Sequence, residues 1–299
     1  MVKMSDAIKI ATIDAGGTWG RLTAWLADGL ETAGFKVELL KRGSEIPEIA
    51  YRIDSGEADL SVTTTFGARA ASQGKTPYPK KLEIKAIAEM QYPLHWFVNL
   101  IRTDAKISSF QELKEKKPPL RLCLPSPDIL VSYPVKAIFR LFGIDPYVDI
   151  PKWGGKIITD FNTVPRLIAS GEADGLFREN SPLRYDVSQL SDVRFFQLTA
   201  DETKKVSEEL AIAPGLIKAG SYRNQDKDIL TVDAEGFTFY VRSDLAEETA
   251  YRIARAIDRH TRTHYISSSI FYSPRFAIHT GAPLHPGAEK YYREQKYLS

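Results

Sequence analysis

The stretch Ile53-Asp54-Ser55-Gly56-Glu57-Ala58-Asp59 returns past the middle of the chain as Ile168-Ala169-Ser170-Gly171-Glu172-Ala173-Asp174. In each copy an apolar helical pattern ends at glycine, the residue that best tolerates the left-handed conformation of a helix C-cap. An aspartate then leads into a short apolar run. Each copy therefore predicts a helix, a stop and a strand. The repeat predicts two similar α/β lobes, although a short match between common residues also arises by chance.

Polar side chains follow both predicted strands. Leu60-Ser61-Val62 runs into three threonines, Thr63 to Thr65, and Gly175-Leu176-Phe177 runs into Arg178 to Asn180. In open α/β sheets, ligands bind beyond the carboxyl ends of strands. Two such ends on two lobes predict a ligand cleft between the lobes.

Composition favours a globular protein with two cores. The chain has 299 residues, 43% of them hydrophobic, which is enough apolar material for two domains. A formal net charge of +2, from 40 basic and 38 acidic residues, gives no electrostatic footprint for nucleic acid or an anionic membrane. The single cysteine, Cys123, excludes an intramolecular disulfide framework and is predicted to be a buried small hydrophobe.

Targeting signals are absent from the sequence pattern. No stretch approaches the roughly 18 consecutive apolar residues of a membrane span, and residues 1–8 are too short and polar for a signal peptide. The pattern alone therefore predicts no export through a visible signal.

The first unit of the chain combines a strand, a glycine turn and a helix. Ile8 to Ile13 has the alternation of a strand, and the turn Asp14-Ala15-Gly16-Gly17-Thr18 precedes a helix that begins near Thr18. A strand is predicted at Lys36 to Leu40. Free N–H groups at the helix start favour an anion such as a carboxylate, and a plain tight turn is the alternative. The spacing matches neither a dinucleotide fingerprint nor a phosphate-binding loop.

Later elements predict a second, similar lobe. Ser108-Ser109-Phe110-Gln111-Glu112-Leu113 predicts a capped helix, and the strand Arg121 to Leu124 precedes a helix from about Leu130 to Phe142. The strand Gly236 to Val241 and the helix Glu247 to Thr261 are predicted to return to the first lobe. We therefore expect one lobe formed by residues 1–103 and 232–299, another formed by residues 104–231, and two crossings that act as a hinge.

Four motifs resemble the TAXI family of TRAP-transporter solute receptors. They are, in that family's order, Ala15-Gly16-Gly17-Thr18-Trp19, Ser55 to Asp59, Tyr222 to Asp228, and the ending His285 to Glu294 with its His-Pro-Gly-Ala and paired tyrosines. The resemblance implies a type II periplasmic-binding-protein fold. It also implies a small organic anion, often an amino acid or carboxylate, enclosed between two closing lobes. Delivery to the membrane subunits of a TRAP transporter and a periplasmic location follow from the same resemblance.

Three departures from the family pattern bear on location and ligand. Members usually carry a secretion or lipoprotein signal, and none is visible in this sequence, which indicates either a mature chain whose signal has been removed or a cytoplasmic relative. Pro125-Ser126-Pro127-Asp128-Ile129 stands where the family has a Gly/Ser-rich turn, and Phe177-Arg178-Glu179-Asn180 stands where it has small or apolar residues. The ligand is therefore not carried over from the family.

By position, ten residues are predicted to surround the cleft. Arg178 is the expected carboxylate clamp, because a guanidinium offers a planar, bidentate fork; a solvated Arg178–Glu179 pair at the rim is the alternative. Thr18 and Thr65 supply hydroxyl donors. Trp19 either stacks on a flat ligand or packs in the core, and stacking together with an Arg178 clamp would indicate an aromatic carboxylate. The full set is Thr18, Trp19, Thr63, Thr65, Phe66, Ser126, Asp128, Arg178, Glu179 and Asn180.

Enzymatic chemistry is the second hypothesis. His260 and His264 lie four apart on a predicted helix but lack the glutamate of the zinc protease motif, and no nucleophile elbow appears. We expect no metal and no cofactor. A cytoplasmic decarboxylase, hydrolase or ligand sensor on the same fold would use Asp128 or Glu179 beside Arg178 as its general acid or base.

Overall fold

The chain divides into two compact units, which we call unit 1 (Met1–Pro93 and Glu235–Ser299) and unit 2 (Leu94–Ala234). The sequence predicted that the first lobe ends at residue 103 and resumes at residue 232. Unit 1 instead ends earlier, at Pro93, and resumes slightly later, at Glu235. The reason is that the strand Phe97–Arg102, expected in the first lobe, pairs with strands of unit 2. The computed structural model describes residues 7–13, 18–41, 46–92, 95–160, 163–180, 190, 192–264, 266, 270–273 and 281–298.

Strands and helices alternate along much of the described chain. The strands are β1 (Ile8–Thr12), β2 (Val37–Lys41), β3 (Leu60–Thr64), β4 (Ile84–Gln91), β5 (Phe97–Arg102), β6 (Arg121–Cys123), β7 (Lys156–Ile158), β8 (Gly175–Glu179), β9 (Val193–Phe195), β10 (Ala213–Ile217), β11 (Ile229–Asp233), β12 (Phe237–Arg242) and β13 (Phe271–Tyr272). The helices are α1 (Thr18–Thr32), α2 (Ile46–Asp54), α3 (Thr65–Gln73), α4 (Phe110–Lys116), α5 (Ser132–Leu141), α6 (Pro146–Lys152), α7 (Val164–Ala169), α8 (Ala200–Leu210), α9 (Glu247–Thr261) and α10 (Pro286–Glu294).

Unit 1 is built on a six-stranded sheet in the order β13-β4-β12-β3-β1-β2. β1 runs parallel to β2 and β3, whereas β12 runs antiparallel to β3 and β4. Phe237 of β12 pairs with Thr64 on one side and Met90 on the other. The carboxyl ends of β1, β3 and β4 and the start of β12 therefore lie along one edge, which we call the unit 1 edge.

Helices cover both faces of the unit 1 sheet. Residues of α2 and α3, among them Ile53 and Ala70, share a buried cluster with Ala11 of β1 and Tyr240 of β12. Helix α1 packs against α9, and Trp25 of α1 stacks on Phe239, the neighbour of Tyr240 that points to the opposite face of β12. Residues on the Tyr240 face of β12, such as Thr238, therefore lie beneath α3.

Unit 2 contains a five-stranded sheet in the order β7-β6-β8-β5-β9 and a separate antiparallel pair, β10-β11. β6 runs parallel to β7 and β8, and β5 runs antiparallel to β8. The carboxyl ends of β6, β7 and β8 thus share one edge with the start of β5, which we call the unit 2 edge. Beneath the sheet, the rings of Phe110, Phe139, Phe177 and Phe196 pack at centroid distances of 5.0 to 5.7 Å.

The repeated heptapeptide has the same structure in both units. Helices α2 and α7 end just before Gly56 and Gly171, which take positive φ angles of 76° and 74°. Asp59 then accepts a hydrogen bond from the backbone N–H of Lys9 in β1, and Asp174 accepts one from the N–H of Arg121 in β6. The prediction of helix, stop and strand is confirmed twice.

Other predicted elements are confirmed with small shifts. The helix Glu247–Thr261 has the predicted bounds, and Ser109 caps α4 by accepting a hydrogen bond from the N–H of Glu112. The predicted turn Asp14–Gly17 lies outside the described residues. Within the described part of the chain, no helix has both the length and the apolar character required to cross a membrane.

Candidate functional site

Thr63 and Thr64 end β3 at the unit 1 edge and Thr65 begins α3, and all three are buried. Thr64 is the N-cap of α3, because its hydroxyl oxygen accepts a hydrogen bond from the N–H of Gly67 at 3.1 Å. The hydroxyl of Thr65 lies 3.4 Å from that of Thr238 on β12. Phe66 is fully buried and belongs to the core of unit 1. The predicted residues Thr63 and Thr65 therefore lie at the strand end as expected, whereas Phe66 packs inside.

A row of polar side chains crosses the unit 1 sheet one residue before its edge. Thr238 of β12 pairs in register with Thr63 of β3 and with Glu89 of β4, so the three side chains point to the same face of the sheet. Thr63 is 3% exposed and Glu89 is 5% exposed. Neither the Thr63 hydroxyl nor Oε2 of Glu89 has a hydrogen-bond partner among the described residues.

Glu89 has an unusual charge environment. Burial, and secondarily the nearby Glu235 carboxylate, raises the pKa of Glu89 to about 8, while Arg69 of α3 acts in the opposite direction. Arg69 is itself paired with Glu235 through contacts of 2.7 and 2.9 Å. Glu89 is therefore mostly protonated at neutral pH. The sequence signal was a single charged residue within the apolar run Ala86 to Met90, and our sequence analysis did not use it.

Aromatic side chains extend along the same edge. Thr18 and Trp19 begin α1 as predicted, and both are half-buried. The Trp19 ring meets Phe237 edge-on at 5.1 Å between centroids, and Phe237 stacks on Tyr92 at 5.9 Å. Trp19 thus packs on the sheet and is half-buried, and stacking of its ring on a ligand stays a prediction.

At the unit 2 edge, Arg178 and Glu179 form a buried ion pair. Arg178 donates from Nη2 to Oε1 of Glu179 at 2.9 Å, and the two side chains are 1% and 8% exposed. The alternative of a solvated pair at the rim is therefore wrong. A buried guanidinium needs a compensating carboxylate, because the desolvation of either charge alone costs several kcal/mol. Asn180 is half-buried and donates its backbone N–H to the carbonyl of Trp96 at 2.6 Å.

The turn after β6 brings Ser126 and Asp128 to the unit 2 edge. Ser126 is half-buried and Asp128 is exposed. The carbonyl of Pro127 between them accepts hydrogen bonds from the hydroxyl of Ser132 at 2.7 Å and from Nζ of Lys136 at 2.5 Å. The start of α5 is thereby tied to the turn, and a lysine is brought to the strand end.

Lys136 is a site residue that the sequence analysis missed. It is half-buried, and its ammonium lies 4.9 Å from the Tyr133 ring centroid and 5.4 Å from that of Tyr147. The hydroxyl of Tyr147 donates a hydrogen bond to the carbonyl of Pro125 at 2.7 Å, which holds the Tyr147 ring beside the turn after β6. Among the described residues, no carboxylate pairs with Lys136. The sequence spacing placed Tyr133 one helical turn from Lys136, but Tyr147 comes from the next helix and could not be predicted to join them.

The histidines and the cysteine give little support to catalysis. His260 and His264 stack at 4.4 Å between ring centroids, and burial lowers the pKa of His260. His285 caps α10 by accepting a hydrogen bond from the N–H of Gly287, which gives it a structural role. Burial raises the pKa of the Cys123 thiol to about 12. Across the described residues, no group of three or more histidine, cysteine, aspartate or glutamate side chains could hold a metal ion.

Two α/β units, each with polar groups at the carboxyl edge of its sheet, define the class of protein. A solved structure described as a periplasmic transporter is 11% identical, with a TM-score of 0.51 over 97% of this chain and 92% of that one. Periplasmic binding protein BugD gives a TM-score of 0.51 at 10% identity over 97% and 93%. A Xanthomonas citri protein solved with bound chloride gives 0.50 at 11% identity over 97% and 100%. The fold is therefore that of the type II periplasmic binding proteins.

The family model is more specific than the fold. The chain belongs to the NMT1-like family, whose model matches residues 10–295. None of the curated proteins matches this sequence.

Proposed function

We propose that this chain is a solute-binding receptor that captures a small organic anion without chemical turnover. The observation that carries the proposal is Lys136: a half-buried cation at the unit 2 edge with no carboxylate partner among the described residues. A cation withdrawn from water without a counter-charge favours binding of an anion, because the anion restores the lost electrostatic stabilisation.

The surroundings of Lys136 favour an organic anion over an inorganic ion. Tyr133 and Tyr147 flank the ammonium and offer flat apolar surface to a carbon skeleton. Arg178 is a second cation of the same edge, and its charge is balanced by Glu179. We propose Lys136 as the direct ligand of the anion. Arg178 then acts as the carboxylate clamp predicted from sequence only if its pair with Glu179 opens.

The unit 1 edge supports hydrogen bonding and aromatic contact. The proposed donors there are the hydroxyls of Thr18 and Thr65, and the proposed stacking surface is the accessible part of Trp19. Within unit 2, Ser126, Asp128 and Asn180 are proposed as further polar contacts. A carboxylate suits the cation of unit 2, and an aromatic group suits the indole of unit 1.

Several finer expectations rest on the TAXI resemblance. Membership of that subfamily, delivery of the solute to TRAP transporter membrane subunits, and a periplasmic location are proposals of this kind. Closure of two lobes on the ligand also stays a prediction.

The geometry gives less support to the alternative of an enzyme. Asp128 is exposed to solvent, and the Glu179 carboxylate is held in a buried ion pair with Arg178, so neither candidate acid or base is placed free beside a ligand. A cytoplasmic decarboxylase, hydrolase or sensor therefore remains the second candidate.

A thermal-shift screen with four anions and one cation tests the proposal. L-Glutamate, L-malate, benzoate and phenylacetate are each added to the purified chain at pH 7, with choline as the cationic control, and every hit is recovered for mass spectrometry. We expect at least one anion to raise the melting temperature and to be recovered unchanged, and choline to have no effect. Stabilisation by choline alone would contradict an anion receptor, and consumption of a hit would favour the enzyme.

A further inference from the structure

The polar row beneath α3 contains hydrogen-bonding groups that the fold leaves unused. The Thr63 hydroxyl and Oε2 of Glu89 are both buried and have no hydrogen-bond partner among the described residues. Thr238 stands between them, and its hydroxyl is directed to Thr65. A buried polar atom without a hydrogen-bond partner destabilises the fold. Such atoms therefore occur where a ligand, ion or water supplies the missing hydrogen bond.

The row is close to the unit 1 edge. Thr63 is the next-to-last residue of β3, and Thr238 is the second residue of β12. The first turn of α3 begins immediately after β3, so its N-terminal end lies beside the row. A ligand group that reaches this edge therefore needs to pass one residue of β3 and of β12, and two residues of β4, to meet the row.

The charges that face Glu89 come from two further elements. Helix α3 contributes Arg69, the segment before β12 contributes Glu235, and β3 and β12 contribute only the uncharged threonines. Arg69 and Glu235 neutralise each other through their own ion pair. A proton on Glu89 is thus the means by which this buried row stays neutral.

We propose that protonated Glu89 and Thr63 donate hydrogen bonds to an anion at the unit 1 edge, and that loss of the Glu89 proton weakens binding of that anion. The inference rests on the proposed function and extends it by assigning a proton-linked specificity group. A neutral carboxyl group donates to an acceptor oxygen of the ligand, whereas an ionised one repels the ligand's negative charge.

Calorimetric titration at pH 6.5 and pH 9 tests this proton linkage. The probe is whichever of L-glutamate, L-malate, benzoate and phenylacetate binds the wild-type chain most tightly at pH 6.5. With the Glu89 pKa at about 8, only the protonated fraction binds well, so we expect affinity to fall about tenfold between the two pH values. Glu89→Gln keeps a neutral donor and should bind with nearly equal affinity at both.

A second variant separates proton linkage from general damage. Glu235→Gln removes the neighbouring carboxylate that disfavours ionisation of Glu89, so the loss of affinity should move to lower pH. Wild-type affinity that is the same at pH 6.5 and pH 9, or an equal fall in Glu89→Gln, would overturn the inference. Infrared spectroscopy of the ligand-free chain gives an independent readout, because a carbonyl band of a protonated carboxyl group should be present in the wild type at neutral pH and absent from Glu89→Gln.

The two proposals fail in different ways. If no anion binds at either pH, the proposed function is wrong, and the proposed role of Glu89 in anion binding is wrong with it. If an anion binds but the infrared band is missing or affinity does not change with pH, only the role of Glu89 is contradicted.

Discussion

Asp59 in unit 1 and Asp174 in unit 2 occupy the same place in the same local structure, yet the strands that follow them carry different chemistry. Each aspartate accepts a hydrogen bond from the first part of the neighbouring strand and follows a glycine with positive φ. In the strands that follow the repeat, Thr63 near the end of β3 corresponds in position to Arg178 near the end of β8. The repeat thus determines where the strand ends lie, and the residues after it determine what each end can bind.

The two strand ends differ most in how they handle charge. In unit 2, Arg178 is buried in an ion pair with Glu179, and Lys136 of α5 is hydrogen-bonded to the turn at the same edge. Unit 1 keeps neutral hydroxyls and a carboxyl group that is mostly protonated at neutral pH. The unit 2 edge therefore offers positive charge, whereas the unit 1 edge offers hydrogen-bond donors without adding negative charge.

The largest expected effect comes from breaking the buried ion pair. Arg178→Met removes the guanidinium that pairs with the buried Glu179 carboxylate, and we expect the free energy of unfolding to fall by about 3–5 kcal/mol. Urea denaturation measures the change. The exposed pair Arg166–Glu172 of the same unit is the matched control, and Arg166→Met should cost less than about 1 kcal/mol. Equal effects of the two variants would show that Arg178 is not in a buried environment.

The next effect is the pH dependence of stability set by Glu89. Between its ordinary pKa of 4.5 in the unfolded chain and about 8 in the folded chain, the folded state holds a proton that the unfolded state has lost. Stability therefore falls as pH rises through this window, by roughly 2–4 kcal/mol for this group. Denaturation of wild type and Glu89→Gln at pH 5 and pH 9 measures the difference. The variant should lose this part of the slope, and parallel slopes would contradict the assignment.

Removal of the Lys136 charge should weaken binding without a comparable loss of stability. Lys136→Gln removes the proposed charged donor and is expected to reduce affinity for the best-binding anion by about 1.5–3 kcal/mol, as measured by calorimetry. Lys152 is an exposed lysine of the neighbouring helix α6, so Lys152→Gln serves as the control and should bind like the wild type. A similar loss in both variants would mean that only the overall charge matters.

The smallest expected effect comes from changing the two aspartates that end the repeated heptapeptide. Asp59→Asn and Asp174→Asn each weaken the charged hydrogen bond to the neighbouring strand, and we expect a loss of about 1–2 kcal/mol in either unit. Asp174 also pairs with the Arg121 guanidinium, and Asp59 pairs with Arg242, so the two losses should be alike. Thermal unfolding of both variants measures them, and a loss in only one would break the equivalence of the two units.

Local patterns predicted much of the fold because their causes are local. The glycine stop, the Ser109 cap and the apolar stripe of Glu247–Thr261 depend on residues within one or two turns. The position of Phe97–Arg102 was missed because its partner strands come from distant segments. An alternating apolar pattern does not specify which sheet a strand joins.

The candidate site was predictable only where it lies directly after a strand. Thr63, Thr65 and Arg178 follow the repeat, so position along the chain was enough to locate them. Glu89 meets Thr63 only because β12 inserts between β3 and β4, and Lys136 meets Tyr147 only through the packing of α5 and α6. The burial of Arg178 was equally hidden, since sequence does not report how closely a strand end is covered.

We propose that the chain binds a small organic anion through Lys136 and releases it unchanged. A calorimetric titration of wild type and Lys136→Gln with the anion that gives the largest thermal shift, followed by mass spectrometry of the recovered ligand, tests this proposal. We expect saturable binding to the wild type, clearly weaker binding to the variant, and an intact ligand. Undiminished binding to Lys136→Gln, or a chemically altered ligand, would contradict it.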